Sequence, residues 1–308
     1  MNGPRHSDEV DGPAEAWIRA HVEPVAAIET VHERPWAMVS RVPLVHGVAW
    51  FKECAPVQGF EAQLTASLFS RWPDRVTSVL AHDDERRWLL LADAGRPLRE
   101  LGNPPEMWMS ALPRYAELQR GEVAHVEEHL KAGVPDLRVS ASAALYEDLL
   151  RHELPLGTEE IARLHAFAPR FEELSRALEA CGVPPSVQHD DLHMNNVYER
   201  DGTLRIIDWG DSSIAHPFAS LVVTFRFLEE MNGLRPGDRW FGRLRDAYLE
   251  PWGPGQRDTF DLAMRIGPFS RAFAVVRVRD QLPPTALPGF DEDFSVVLRR
   301  ALAGTNTP

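Results

Sequence analysis

The sequence contains little cysteine and no long apolar segment. Its 308 residues include two cysteines, Cys54 and Cys181, which are too few for a disulfide framework and are typical of a reducing cytoplasm. No apolar run approaches the roughly 18 residues that a membrane-spanning helix needs, and the first residues lack the apolar core of a signal peptide. We therefore expect a cytoplasmic protein without a membrane partner.

Positive charge is also scarce. The chain carries 33 Lys and Arg residues against 46 Asp and Glu residues, a formal net charge of −13. Because no basic excess is available to neutralise phosphates, we expect no nucleic-acid partner. The charge is compatible with a cationic small-molecule substrate, and solubility alone would explain it equally well. Nothing in the sequence indicates the oligomeric state.

One stretch, residues 186–213, contains most of the polar side chains that suit a reaction centre. It reads SVQHDDLHMNNVYERDGTLRIIDWGDSS. Two short apolar runs within residues 197–207 flank an Asp-Gly pair, which predicts a β-hairpin. A hairpin brings the residues before its first strand close to those after its second, so Asp191, Asn196 and Asp208 are expected to converge.

The residue types and spacing in this stretch indicate phosphoryl transfer. Two carboxylates and one amide oxygen are hard ligands, which suit Mg²⁺ with bound phosphate better than zinc. The order H-x-D-x-x-x-x-N, followed by D-x-G, is the phosphoryl-transfer template. In that template Asp191 orients the attacking hydroxyl, while Asn196 and Asp208 hold the metal ions that bridge the nucleotide phosphates.

The same residues resemble the signature of the aminoglycoside phosphotransferase and choline kinase families, usually written H-G-D-L-H-x-x-N. The matching positions are His189, Asp191, Leu192, His193 and Asn196, with Asp208 in the D-F-G or D-W-G position. The resemblance implies a kinase that uses ATP and Mg²⁺ and transfers the γ-phosphoryl group to a hydroxyl of a small molecule. It also implies that His189 and His193 brace the catalytic loop.

The order of the predicted elements extends this resemblance along the chain. Three strand-like runs, one helix and two further strands occupy residues 25–92, and helical patterns dominate from Pro104 onward. We predict an α+β, two-lobed protein kinase-like fold. Residues 1–92 would form the nucleotide-binding lobe, with 1–13 disordered, and residues 93–308 the catalytic and substrate lobe.

The resemblance assigns further residues to the nucleotide. The kinase template needs a strand lysine on the phosphates, fixed by a helix glutamate. Lys52, at the end of the third predicted strand, and Glu61, in the next helix, take these positions, with Glu53 as a nearby competitor. The hinge around Leu91 and Asp93 would hydrogen-bond the adenine edge through its backbone.

Three departures from the family pattern are visible. Asp190 stands where the family has glycine, which adopts positive φ without strain. No glycine-rich loop connects the first two predicted strands, so the phosphate-covering residues are not identified. Ser220 replaces an acidic residue downstream of the D-W-G, and Asp211 is either a further metal or substrate ligand or a hydrogen-bonded loop residue.

Two other functions stay open. A pseudokinase or nucleotide-binding regulatory module would keep the fold without turnover, as Asp190 and the missing glycine-rich loop suggest, although the complete set of template residues argues against it. A metallohydrolase would instead use the histidines and aspartates of residues 189–193 as a transition-metal cluster. The acceptor is not identified, and its binding residues are expected within 218–232 and 258–280. The arginines of the latter range indicate a solvated or ion-paired face.

Overall fold

The first part of the chain forms a helix and a five-stranded antiparallel sheet. The computed structural model describes residues 12–235 and 237–304. Along the chain lie α1 (Gly12–His21), β1 (Glu29–Arg34), β2 (Ala37–Leu44), β3 (Gly47–Cys54), α2 (Glu61–Arg71), β4 (Val79–Asp83) and β5 (Trp88–Ala92). The strand order is β1-β2-β3-β5-β4, and every neighbouring pair is antiparallel. The predicted order of three strands, one helix and two strands is confirmed.

The remainder of the chain is mostly helical. It contains β6 (Arg96–Pro97), α3 (Pro105–Glu122), α4 (Val126–Lys131), α5 (Ser142–Leu149), α6 (Thr158–Ala180), β7 (Ser186–Gln188), β8 (Val197–Arg200), β9 (Thr203–Ile206) and β10 (Ser213–Ala215). Four helices follow: α7 (Leu221–Asn232), α8 (Arg239–Leu249), α9 (Arg257–Arg279) and α10 (Leu287–Gly304). This β-rich start and helical majority confirm the predicted α+β class. Within residues 12–235 and 237–304, no helix is long and apolar enough to cross a membrane.

Two compact units divide the described residues. The first contains residues 12–95 and 199–210, and the second contains residues 96–198 and 211–304. The later segment belongs to the first unit because β9 hydrogen-bonds there: the Ile206 N–H donates to the Arg75 carbonyl at 2.8 Å. The functional lobes proposed from the sequence stay a prediction.

The amino-terminal segment was expected to be disordered over residues 1–13. Residues 1–11 lie outside the described part of the chain, whereas Gly12 and Pro13 are the first residues of α1. Helix α1 buries Ala14 and Ile18 completely. It therefore includes the last two residues of the segment expected to be disordered.

The core of the first unit lies between α1 and one face of the sheet. Phe51 and Trp88 are buried there with their ring centroids 5.8 Å apart, and Trp17 from α1 lies 5.6 Å from Trp88. Successive side chains of a strand point to opposite faces. Since Phe51 faces this core, the adjacent Lys52 points to the other face.

An aromatic core in the second unit fixes the long helix α9. Phe269 is buried against Tyr146 from α5 and Phe171 from α6, with ring centroids 5.3 and 5.1 Å away. Phe273, one turn later, lies 6.0 Å from Phe171 in an edge-on arrangement. Such pairs add roughly 0.5–1.5 kcal/mol each beyond burial. This packing fixes the position of α9 and therefore of Ser270 and Arg271, which lie between Phe269 and Phe273 in the sequence.

Gly95 and Gly47 provide a matched test of backbone packing in the first unit. Both have a φ near +100°, but a Cβ at Gly95 would collide with the carbonyl oxygen of Glu199, whereas Gly47 faces open space. We expect Gly47→Ala to lower the free energy of unfolding by about 1–2 kcal/mol through strain, and Gly95→Ala by roughly 3 kcal/mol or more. Denaturant unfolding measures both values, and equal losses would contradict the close approach.

Candidate functional site

The predicted hairpin within residues 197–207 is present. Its strands are β8 and β9, joined by Asp201 and Gly202 with φ values of 52° and 75°. Positive φ at both central residues is the requirement of a type I′ turn, which an Asp-Gly pair satisfies. Asp208, two residues beyond β9, therefore follows a well-specified turn, and its own φ is also positive at 62°.

In the first unit, Lys52 is held between two carboxylates. Its Nζ lies 2.7 Å from Glu61 Oε2 and 2.6 Å from Asp208 Oδ1. The Glu61 side chain is almost completely buried, whereas 47% of the Asp208 side chain is exposed. The predicted lysine and glutamate thus meet, and Lys52 pairs with Glu61 from α2. Glu53, the competitor within β3, forms no ion pair with Lys52 in the described part of the chain.

The charges of this group depend on one another. Burial alone would lower the pKa of Lys52, but Asp208 and Glu61 raise that pKa well above its ordinary value. Burial raises the pKa of Glu61, and Lys52 opposes the shift. The lysine is therefore protonated at neutral pH and supplies a fixed positive charge beside the exposed carboxylate of Asp208.

Gly210, the glycine of the D-W-G, lies directly against this cluster. A Cβ at this position would be 2.6 Å from Glu61 Oε2 and 2.8 Å from the side-chain carbon Cδ of Gln58. Neither neighbour is a mobile surface group, since both residues are buried. A larger residue at position 210 would displace Glu61. Glycine therefore allows the backbone to approach Glu61 closely while Glu61 stays paired with Lys52.

In the second unit, Asp191 receives hydrogen bonds at both carboxylate oxygens. His193 Nδ1 accepts a hydrogen bond from the Asn195 N–H at 3.1 Å, which places the ring proton on Nε2. That Nε2 lies 3.1 Å from Asp191 Oδ2. Asn196 Nδ2 donates to the Asp191 carbonyl oxygen at 2.9 Å and to Oδ2 at 3.3 Å. Asp191 and Asn196 are thus brought together as predicted.

Arg271 from α9 completes the surroundings of Asp191. Its Nη2 lies 3.4 Å from Asp191 Oδ1, and its Nη1 lies 3.1 Å from Asp211 Oδ2. Burial alone would raise the pKa of Asp191, but the hydrogen bond from His193 and the charge of Arg271 lower it well below the usual range. Asp191 is therefore ionised at neutral pH.

Sequence reasoning missed the role of Arg271. The arginines of residues 258–280 were interpreted as a solvated or ion-paired face, and for Arg271 the ion-paired interpretation is correct. One signal was available: Arg271 is a single charge within the otherwise apolar and small-residue run 266–274 of α9. A lone arginine in such a run needs a buried acidic partner.

A buried hydrogen-bond network fixes the start of the loop formed by residues 189–196. The Tyr115 hydroxyl accepts from the His189 backbone N–H at 2.9 Å and contacts Ser220 Oγ at 2.9 Å. Gln119 Nε2 donates to the Val187 carbonyl at 2.9 Å and to Ser220 Oγ at 3.1 Å. Ser220, where the family has an acidic residue, thus joins a neutral network. The loop is held by hydroxyl and amide groups.

The predicted hinge residues lie at the end of the first unit's sheet. Leu91 pairs with Trp50 across β5 and β3. The Asp93 carbonyl accepts a hydrogen bond from Arg200 Nη1 at 2.7 Å, and its Oδ1 accepts from the Gly95 N–H at 3.2 Å. The contact of Leu91 and Asp93 with adenine stays a prediction.

Comparison with known proteins identifies the family. The profile described as "Phosphotransferase enzyme family" matches residues 19–260, which is well over half of the sequence. The chain belongs to this family. No curated protein sequence gives a significant match.

Solved structures similar to this phosphotransferase share its kinase-like fold. Choline kinase LicA from Streptococcus pneumoniae is 12% identical, with a TM-score of 0.62 over 94% of this chain and 100% of that chain. The GDP and kanamycin complex of APH(2")-IIia is 16% identical, with a TM-score of 0.59 and coverages of 96% and 98%. Amicoumacin kinase hAmiN, in complex with AMP-PNP, Ca²⁺ and Ami, is 11% identical, with a TM-score of 0.59 and coverages of 96% and 93%. At these identities the likeness establishes the fold, as predicted.

Asp190 distinguishes this phosphotransferase from the usual family pattern. Its φ is 61°, the conformation for which the family uses glycine. Its carboxylate is buried and accepts hydrogen bonds from Gln188 Nε2 and Ser213 Oγ. Burial raises the pKa of Asp190 to about 7, against the opposing effects of Ser213 and Arg271. The aspartate therefore keeps the backbone shape and adds a buried link to β10.

These contacts do not favour the transition-metal cluster considered for residues 189–193. The Asp190 carboxylate faces Gln188 and Ser213, and His189 Nδ1 accepts a hydrogen bond from the Asp191 N–H at 3.3 Å. Within the described ranges 12–235 and 237–304, no three His, Cys, Asp or Glu side chains are arranged to hold a metal ion. Both histidines accept hydrogen bonds from the loop backbone, and their bracing role stays a prediction.

The titration of Asp190 predicts a pH-dependent stability. Between about pH 4 and 7 the folded chain keeps the Asp190 proton while the unfolded chain releases it, so this contribution to stability falls as pH rises. Asp190→Asn removes the titration. As pH rises through this window, the free energy of unfolding of the variant should therefore increase relative to that of wild type by up to about 1.4 kcal/mol per pH unit. Asp201→Asn, an exposed aspartate also at positive φ, is the control. Parallel unfolding curves for wild type and Asp190→Asn would refute the assignment.

Proposed function

We propose that this phosphotransferase is a Mg²⁺-dependent kinase that transfers the γ-phosphoryl group of ATP to a hydroxyl of a small molecule. The observation that carries the proposal is the contact of Lys52 with both Glu61 and Asp208. A protonated lysine fixed in this way is the phosphate-positioning group of the kinase template. Similar structures hold GDP in one case and AMP-PNP with Ca²⁺ in another, which supports a nucleotide with a divalent ion.

The side chains present suit a magnesium ion. Asp208 offers a carboxylate that is 47% exposed. In Asn196 the amide nitrogen donates to two oxygens of Asp191, so the amide oxygen is turned away from Asp191 as an acceptor. Carboxylate and amide oxygens are ligands that Mg²⁺ accepts. We assign Asp208 and Asn196 to the ion, which when bound neutralises phosphate charge.

Asp191 is assigned to the acceptor hydroxyl. Because it is ionised at neutral pH, its carboxylate accepts a hydrogen bond from the hydroxyl and orients the oxygen towards the γ-phosphorus. The new oxygen–phosphorus bond forms as the bond to the ADP oxygen breaks, and the hydroxyl proton passes to the Asp191 carboxylate. His193, Asn196 and Arg271 hold that carboxylate in one orientation, which is the main contribution of the protein to a loose transition state.

The acceptor class and the cellular location complete the proposal. The names of similar structures include choline and kanamycin, which supports a small molecule as the acceptor here. The cytoplasm is the proposed location, in keeping with two cysteines that are both free thiols in the described residues, Cys54 buried and Cys181 exposed.

The nucleotide site is tested by thermal unfolding with ATP, with and without Mg²⁺. We expect Mg²⁺-dependent stabilisation of wild type, and an apparent affinity at least tenfold weaker in Asp208→Asn. Asp84→Asn is the control, because Asp84 is a similarly exposed aspartate of the first unit that contacts His82 Nδ1 at 2.8 Å, with 44% of its side chain accessible. No stabilisation of wild type by any nucleotide would refute the proposal.

Turnover separates a kinase from a nucleotide-binding regulatory module. Asp191→Asn should keep the Mg²⁺-ATP stabilisation and lower basal ATP hydrolysis by orders of magnitude, since only the orienting carboxylate is lost. Wild type that binds ATP yet shows no hydrolysis, and no transfer to any acceptor, would indicate the regulatory module.

Arg271 is predicted to set the pH range of the reaction. Arg271→Met should lower basal ATP hydrolysis roughly tenfold or more and move the acid limb of its pH profile upward by roughly one pH unit or more, because Asp191 loses an adjacent positive charge. Arg271→Lys keeps the positive charge, so both the loss of ATP hydrolysis and the shift of the acid limb should be smaller than in Arg271→Met. Arg279→Met, which removes a similarly buried arginine of α9 paired with Asp291, should leave the acid limb unchanged. An unmoved limb in Arg271→Met would contradict the role.

A further inference from the structure

Arg226 of α7 is a half-buried arginine whose guanidinium lacks a hydrogen-bond acceptor in the described part of the chain. Its Nε is shielded from solvent, and no residue among 12–235 and 237–304 accepts a hydrogen bond from it. The recorded contact of the group is with the ring of Phe227, whose centroid lies 4.5 Å from the guanidinium carbon. A ring face attracts a cation but satisfies none of its five N–H donors.

This arginine lies beside the catalytic loop of the second unit. Thr224 Oγ1 donates to the Leu192 carbonyl at 2.7 Å, which ties α7 to the loop. The Phe227 ring lies 4.4 Å from the ring of His193, the residue that hydrogen-bonds Asp191. The chain of contacts from Arg226 through Phe227 and His193 therefore ends at the carboxylate assigned to the acceptor hydroxyl.

The acidic groups near Arg226 are already engaged. Glu230, one turn along α7, forms an ion pair with Arg300 from α10, and Asp191 is paired with Arg271. Burial lowers the pKa of Arg226, and the positive charges of Arg300 and Arg271 lower it further, against Glu230 and Asp191. Two positive and two negative charges thus surround Arg226, and because they pair with one another, no carboxylate in the described residues forms an ion pair with its guanidinium.

A half-buried guanidinium without an acceptor is unfavourable unless a ligand supplies one. Its planar fork matches the two oxygens of a carboxylate or phosphate, which arginine binds in a bidentate manner. We propose that Arg226 binds an anionic group, a carboxylate or a phosphate, on the hydroxyl-bearing acceptor. This inference rests on the proposed kinase function, and it makes the acceptor class a hydroxy acid or a phosphorylated alcohol.

The test uses small anions as probes of the full chain with Mg²⁺ and AMP-PNP at saturation, so that the nucleotide-phosphate positions are filled. Inorganic phosphate and acetate are titrated separately at constant ionic strength, with thermal unfolding as the readout. We expect at least one of them to stabilise wild type, and its apparent affinity to fall at least tenfold in Arg226→Gln. The anion that acts distinguishes a phosphate from a carboxylate as the recognised group.

Two further variants control the measurement. Arg243→Gln removes an arginine of α8 that also lies over an aromatic ring, 4.2 Å from the Trp240 centroid, and it should bind the anion like wild type. Arg226→Lys keeps the charge but loses the fork, so we expect binding at least threefold weaker than wild type even if Arg226→Gln fails to fold.

An acceptor screen gives an independent outcome. Hydroxy acids and sugar phosphates should support transfer that Arg226→Gln reduces, whereas amino alcohols should not. Equal anion binding by wild type and the Arg226 variants, no anion binding by wild type, or transfer confined to amino alcohols would overturn the inference. Failure of AMP-PNP to stabilise wild type would instead count against the kinase function itself, so the two failures are distinguishable.

Discussion

A buried cation held between two carboxylates organises the candidate site in each unit. Lys52 lies between Glu61 and Asp208 in the first unit, and Arg271 lies between Asp191 and Asp211 in the second. Removing one member of such a group leaves a charge uncompensated in a poorly solvated place, which is far more costly than removing an exposed pair. Any other placement of the Asp208 or Asp191 carboxylate would leave a buried charge uncompensated, so the positions of both carboxylates are fixed.

The rest of the fold positions the members of these two charged groups. Strand alternation turns Lys52 away from the Phe51 core, and the close approach of Gly210 sets the position of Glu61. In the second unit, the aromatic packing of Phe269 and Phe273 fixes α9 so that Arg271 reaches Asp191. Apolar packing thus determines where the charged groups lie, and the charged groups determine which protonation states exist at neutral pH.

The sequence predicted those features that depend on short-range patterns. The Asp-Gly turn, the strand order and the pairing of Lys52 with Glu61 follow from alternation, turn chemistry and a template of fixed spacing. The contacts of Arg271 could not be predicted in this way, because its partners lie 60 and 80 positions away and helical periodicity does not encode which loop a helix meets.

Asp190 shows what the glycine of the family signature specifies. The chain keeps the left-handed backbone at this position with a side chain present, so the required property is a dihedral angle, which glycine adopts most easily and aspartate also tolerates. A sequence pattern that requires glycine at this position would miss such a chain, whereas a pattern that accepts any residue able to adopt positive φ would include it. Family members with aspartate or asparagine at this position are therefore better recognised by the backbone conformation that the position requires than by the residue type.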